Sequence, residues 1–330
     1  MLFANWAVRI IGLVACLLPV GLVFLLAAVS WLDWQYRVRF GRHPWHWLRA
    51  KLGWGRGIQR LARLLQVDLR ELQDFRPGYR AFKLAKRRGG QRTIHAPDDR
   101  TKKLQRAVLH RLLYGLRAYP AACGFERGKS IVENAQPHAG QCVVVKMDVR
   151  DFFTSTTARR VELYFRRIGW SAAAARLLAQ IVCLDGGLPQ GAPTSPRLSN
   201  LVNYYLDVQL AAYARRRKGS YTRYADDMTF SFPKDYPKRI RGLVQVVRRV
   251  LKAHGYEPCH EKTRILRRHQ RQMVTGLVVN QNVHLPRSAR RRLRAMRHRL
   301  AQGKPTEQTP AQCRGWLALE SMVESRARIH

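Results

Sequence analysis

The chain has 330 residues, with 61 Lys and Arg against 21 Asp and Glu, a formal net charge of +40, and 46% hydrophobic residues. That hydrophobic share can bury a core and excludes a chiefly disordered chain. Self-repulsion on this scale disfavours a compact state unless a polyanion offsets it, which points to nucleic acid, with ribosomal-type RNA binding or an anionic lipid surface as the alternatives.

Residues 10–32, IIGLVACLLPVGLVFLLAAVSWL, carry no charge. As a helix rising ~1.5 Å per residue, this run matches a ~30 Å hydrocarbon core. Trp6 precedes it, and Trp31, Trp34 and Tyr36 close it, as interfacial anchors do. Arg37, Arg39, Arg42 and Arg49 follow while only Arg9 precedes, so residues 1–39 are expected to be a single-pass inner-membrane anchor with the bulk of the chain cytoplasmic. A cleaved signal peptide fits less well, because the run is long and no small-x-small site follows it. Burial in a core, a misplaced start and a wholly cytoplasmic chain are the other readings.

Leu61, Leu64, Leu65 and Leu69 keep helical spacing over residues 58–72. Residues 79–97 alternate apolar and polar on either side of Gly89-Gly90, a hairpin signal, with Lys83, Lys86, Arg87, Arg88 and Arg92 on its arms. Charged arms also protect an exposed strand edge. A helix is expected over residues 101–118. The six cysteines, at 16, 123, 142, 183, 259 and 313, form no C-x-x-C pair and suggest neither a zinc site nor a disulfide framework.

CVVVKMDVRDFF (142–153) contains a strand-like run ending at Asp148. YTRYADDMTFSF (221–232) sets Asp226 and Asp227 at a hairpin turn between two β-rich runs. Three carboxylates brought together this way repel one another unless divalent cations compensate. They offer the hard oxygen ligands that a pair of magnesium ions ~3.5–4 Å apart requires for in-line displacement at phosphorus.

Asp148 with its downstream DFF, the segment LPQGAPTSPRLSN (188–200) and YADD (224–227) together resemble the palm of reverse transcriptases, over residues 55 to 325. Three segments narrow the resemblance to the retron type. Residues 124–140 carry an Asn-Ala-x-x-His element at Asn134, Ala135 and His138; residues 274–280 begin with Val-Thr-Gly; and residues 254–265 are similar to the palm motif that ends in a lysine, here Lys262. The resemblance implies an α+β right-hand polymerase fold of fingers, palm and thumb with an antiparallel palm sheet, preceded by the transmembrane helix. Fingers and palm would occupy residues 40–300 and a basic thumb residues 280–330. It implies an RNA-directed DNA polymerase with two Mg2+ ions on Asp148, Asp226 and Asp227. Its dNTPs would extend a structured non-coding RNA, template and primer at once, into a single-stranded DNA product joined to a 2′-hydroxyl. Anti-phage defence with a separate effector protein is implied too. Group II intron and abortive-infection enzymes share the palm, although an intron enzyme normally carries a maturase extension, for which no chain remains after residue 325. A membrane-anchored RNA-binding protein with a decayed site is the non-enzymatic alternative, against which the intact carboxylates argue.

The same resemblance gives further roles. Phe153, five residues past Asp148, would stack under the incoming sugar and collide with a 2′-hydroxyl, while Phe152 fills the core. Gln190 and Gly191 would let the nucleotide approach the backbone, or form a plain turn before a helix. Arg92 would clamp the triphosphate, with Lys83 or Lys86 as substitutes, and Lys262 would serve the pyrophosphate leaving group; surface charge is the alternative for each. Tyr224, Asn134 and His138 are candidates for nucleic-acid contact. No His or Cys stands at ligand spacing from His138, so RNA recognition or local packing is its expected part. In residues 287–299, Leu293 and Met296, with Leu300 beyond, form an apolar stripe among arginines. Arg287, Arg291 and Arg294 would then track a template–primer backbone, or lie on lipid. Residues 314–328 resemble a closing thumb helix that docks Trp316 and Leu317.

Overall fold

The computed structural model describes residues 56–85, 89–306 and 308–327. The apolar run at 10–32 lies outside them. No helix among the described residues is long and apolar enough to cross a membrane. The longest two, Pro237–Ala253 and Pro310–Ala327, are interrupted by Arg, Lys or Glu every few residues. The single-pass inner-membrane placement is therefore corrected: no described element supports it.

The described chain forms two compact units. The first comprises residues 56–74, 115–117 and 162–178. Its helices α1 (Ile58–Leu65) and α2 (Leu69–Gln73) replace the single helix expected over 58–72. Gln66 closes α1 in the left-handed region at φ 57, and the Asp68 carboxylate caps α2 by accepting from the Arg70 amide at 2.8 Å. Asp competes with the helix for such amides and so favours a start over a continuation.

The second unit comprises residues 75–114, 118–161 and 179–327. It opens with the antiparallel hairpin β1 (Tyr79–Ala85) and β2 (Gln91–Pro97), largely exposed on both strands. Helix α3 (Asp99–Val108) follows, capped by Asp98, and runs into a π-helical turn at Leu109–Leu113. The expected helix thus ends short of 118, before Gly115. Next in the chain come α4 (Ile131–Ala135), β3 (Val143–Val149), α5 (Ala158–Arg167) and α6 (Ala172–Val182), whose residues 162–178 belong to the first unit, then α7 (Ser195–Val202) and α8 (Tyr204–Arg215). They are followed by β4 (Ser220–Tyr224), β5 (Asp227–Phe232), α9 (Pro237–Ala253), β6 (Pro258–Arg267), the short pair β7 (Met273–Val274) and β8 (Leu277–Val278), α10 (Arg287–Ala301) and α11 (Pro310–Ala327).

One four-stranded antiparallel sheet, ordered β4-β5-β3-β6, organises this unit. Both faces of β3 are covered at its start, which is why it opens with three successive valines, while Lys146 to Val149 alternates polar and apolar. Val143, Val145, Met147 and Val149 join Leu206, Leu210, Leu243 and Val247 from α8 and α9 in one buried cluster. Val144 faces the other way, into a cluster with Val274, Leu277, Leu293, Met296, Cys313 and Val323. The period of two along a strand then puts Lys146 and Asp148 on the Val144 face.

Candidate active site

Strand register brings the carboxylates together. β3 pairs with β5 so that Asp148 stands opposite Asp227, and β5 pairs with β4 so that Tyr224 stands opposite Asp227. Only Ala225 and Asp226 remain to close the β4–β5 hairpin. Such two-residue turns follow the strand twist only with positive φ, and Ala225 adopts φ 57. For a residue with a Cβ this conformation costs on the order of 1–3 kcal/mol and needs support from its surroundings.

The support is a buried polar network. The Arg223 guanidinium donates to both Asp207 carboxylate oxygens, at 2.8 and 2.6 Å, and to the Ala225 carbonyl at 3.0 Å. The Tyr221 hydroxyl donates to the same Asp207 at 2.8 Å. Asn200 accepts from Arg223 at 3.2 Å and donates to the Gly124 carbonyl at 2.6 Å and to Glu126 at 2.8 Å. Arg223, Asp207 and Asn200 are all 0% exposed. Gly124 lies against the turn so closely that a Cβ there would meet the Ala225 amide nitrogen at 2.9 Å. Sequence reasoning did not single out Arg223 or Asp207; an Arg directly before the YADD tetrad was the available signal.

Two lysines complete the electrostatics. Lys146 reaches Asp227 at 2.8 Å, and Lys262 reaches Asp148 at 2.8 Å. Lys262 arrives through a bulge: β3–β6 pairing jumps from Lys146↔Arg264 to Asp148↔Cys259, so residues 260–263 loop out beside Asp148. Burial, and then the charge of Asp148, push the Asp226 carboxyl above its ordinary range. Burial also raises Asp227, with Lys146 partly offsetting it. The hydrogen bond to Asp148 raises the Lys262 ammonium. Among the described residues no three His, Cys, Asp or Glu side chains close into a group that could hold a metal ion. The donor set nonetheless suits one: it offers hard carboxylate oxygens, a divalent cation would relieve the raised proton affinities of Asp226 and Asp227, and Asp227 and Asp148 are here turned to their lysines.

The other expected residues fall into three groups. Phe153 is half-buried beside the site, its ring centroid 5.6 Å from that of buried Phe152 and 6.2 Å from that of Phe125. Phe125 in turn lies 6.1 Å from Tyr224, so an aromatic row Phe153–Phe125–Tyr224 borders the turn; Phe125, 46% exposed, was not anticipated. Gln190 and Gly191 lean on β2. The Gln190 carbonyl accepts from the His95 amide at 2.8 Å, and Gly191, at φ 128, would put a Cβ 2.7 Å from the His95 carbonyl oxygen. Arg92 and Lys83 are exposed on the hairpin, and no contact among the described residues joins either to the carboxylates. Lys86, Arg87 and Arg88 lie outside the described residues.

Asn134 and His138 require correction as nucleic-acid contacts, because they are 1% and 0% exposed. The His138 ring bridges Ser231 at 2.7 Å and Thr222 at 2.8 Å, and Thr222 donates to the Asn134 carbonyl at 3.2 Å. This element fastens the 3₁₀ turn at Gln136–His138 to β4 and β5, and burial pushes the imidazole pKa down to about 3. Arg287, Arg291 and Arg294 are exposed on α10, over buried Leu293 and Met296. Leu300 departs from the expected stripe at 46% exposure. Trp316 and Leu317 pack against the Val144 cluster as expected.

The reverse transcriptase (RNA-dependent DNA polymerase) family profile matches residues 84–285. The chain is 42% identical over 264 residues to the retron Mx65 reverse transcriptase of Myxococcus xanthus, covering 74% of this chain and 61% of that protein. It is 35% identical over 257 residues to the retron Ec86 reverse transcriptase of Escherichia coli, covering 77% and 78%. The chain thus spans less than two thirds of the Mx65 relative's length and more than two thirds of the Ec86 relative's. Among solved structures, telomerase from Candida albicans with a fragment of telomeric RNA overlays at a TM-score of 0.47 and 10% identity, over 70% of this chain and 50% of that one. By its family profile and its match to the Ec86 relative, the chain belongs to the reverse transcriptases, and among them to the retron reverse transcriptases.

Proposed function

We propose that the chain is an RNA-directed DNA polymerase that copies part of a structured non-coding RNA into single-stranded DNA from deoxynucleoside triphosphates, in anti-phage defence with a separate effector. The observation that carries the chemistry is the register that sets Asp148 opposite Asp227 with Asp226 in the adjoining turn. In this reading residues 40–300 are fingers and palm and residues 280–330 a basic thumb. The Arg287, Arg291 and Arg294 face of α10 binds the backbone of the template–primer.

Asp148, Asp226 and Asp227 would hold two magnesium ions, which when bound supply charge neutralisation at the attacking hydroxyl and the leaving pyrophosphate. The chain's own groups do the positioning. The Phe153 ring would bar a 2′-hydroxyl on the incoming sugar, and Gly191, packed on the His95 carbonyl, would present the Gln190–Gly191 backbone to the nucleotide. Arg92 approaches the triphosphate from the hairpin. Lys262 exchanges Asp148 for the departing pyrophosphate and can hand it a proton. No covalent enzyme intermediate is needed, since orientation and electrostatics supply the acceleration.

The test is to express the protein with its native flanking DNA and isolate the nucleic acid that co-purifies, with Asp226→Asn as control. The proposal predicts short single-stranded DNA joined to RNA with the wild-type protein alone. RNA without DNA from both proteins would point instead to an RNA-binding protein without polymerase activity.

A further inference from the structure

At the end of the β4–β5 hairpin away from the Ala225–Asp226 turn lies a concavity of about 780 Å³. The strands are 5 and 6 residues long. At ~3.3 Å per residue they set it roughly 15–20 Å from the carboxylates. Arg216, Arg217 and Lys218 line it from the end of α8, and Lys234 and Arg239 from the start of α9. All five are exposed, and among the described residues none is ion-paired. Asp235, the acid within that stretch, is taken by Arg267 at 2.7 Å.

Two of the five cations are held against aromatic rings. Arg217 lies 3.7 Å from the Tyr213 ring centroid, and Arg239 4.5 Å from that of Tyr236. Helix α9 starts at Pro237 with no side-chain cap, so its first-turn amides add to the positive field. Tyr236, 44% exposed, contributes aromatic surface, over the buried edge of Phe232. Cations interleaved with aromatic rings suit phosphates and unstacked bases together. A lone phosphate would satisfy two or three of the five cations; successive phosphates of a strand can meet them all.

We infer that this concavity is a second nucleic-acid contact, which holds the phosphodiester backbone of an RNA segment outside the template–primer helix. The inference rests on the polymerase reading for its partner, yet it concerns a surface remote from the carboxylates. It gives the chain a means of favouring a folded RNA over any primed template.

The test uses the full chain and three labelled probes: a minimal RNA-template–DNA-primer duplex, and the same duplex with an RNA stem-loop joined to the 5′ or the 3′ end of the template. Binding is followed by fluorescence anisotropy across a salt series, beside primer extension and thermal unfolding. In Arg217→Glu/Lys234→Glu/Arg239→Glu, affinity for at least one stem-loop probe falls about tenfold, and the salt slope drops by about one per cation. Affinity for the minimal duplex and its extension stay within about twofold. Equal loss on all three probes, or no loss on any, overturns the inference. If the Glu variant fails to unfold cooperatively, the triple Gln variant gives the same comparison with a smaller loss. A wild-type chain that extends no primer, but whose stem-loop binding still depends on these cations, would sink the polymerase reading and leave the second contact standing.

Discussion

Arg223 and His138 set a charge and a titratable ring where water does not reach, and both have measurable consequences. Removing one partner of a buried ion pair strands the other. Asp207→Ala should therefore cost about 3–5 kcal/mol in denaturant unfolding. Replacing both partners, as in Asp207→Leu/Arg223→Met, should recover most of that loss. Polymerisation should still fall in the double variant, because the Ala225 carbonyl loses its donor; full activity there would show that the network serves stability alone. For His138 the sign follows from its depressed pKa. The unfolded chain takes up the proton near pH 6.5 while the folded ring resists to about 3, so stability is complete above 6.5 and is lost as pH falls between those values. The loss is about 1.4 kcal/mol per pH unit. Wild type should thus lose about 2 kcal/mol more than His138→Gln between pH 7 and pH 5, as read from denaturant midpoints. Identical pH profiles would contradict the buried neutral imidazole.

Among the elements, what is local in sequence was legible and what depends on pairing was not. The valine run before Asp148 identifies β3, because a strand covered on both faces begins with a continuous apolar run, and the β-branched and aromatic flanks of the YADD tetrad identify β4 and β5. The β1–β2 hairpin follows from its alternation about Gly89-Gly90. The contact of Lys262 with Asp148 could not be read, since it comes from a jump in β3–β6 register that no residue pattern announces. For His138 local packing was one of two open readings, and the structure takes it, with Ser231 and Thr222 on the two ring nitrogens; nothing in the sequence announced the burial of Asn134. The 58–72 helix failed at Gln66 and Asp68, where a cap competed with a continuation. The turn itself offers an element-scale test. Gly124→Ala forces a methyl against the Ala225 amide. Primer extension should drop ~100-fold, the scale of an ångström-sized displacement of a reacting group, while the thermal midpoint changes little. Ala225→Gly should relax the strained φ and raise stability by about 1 kcal/mol in chemical denaturation; a loss of stability would show the strain argument to be wrong.

Across the whole molecule the charge of +40 points to a polyanionic partner, while the membrane placement drawn from the apolar run at 10–32 is overturned. A polyanion that binds only the folded state should stabilise it by ~2.7 kcal/mol at a hundredfold excess over the dissociation constant. The midpoint of thermal unfolding should therefore rise with added RNA at low salt, and the rise should vanish as salt releases the phosphate contacts. The central claim, that the Asp148, Asp226 and Asp227 cluster polymerises DNA on RNA, is tested most directly by extension of a DNA primer on an RNA template with dNTPs and Mg2+, comparing wild type with Asp226→Asn. The account predicts processive extension by wild type and none by a variant that folds normally. Extension by Asp226→Asn at the wild-type rate, or none by either protein on any primed RNA, would contradict it.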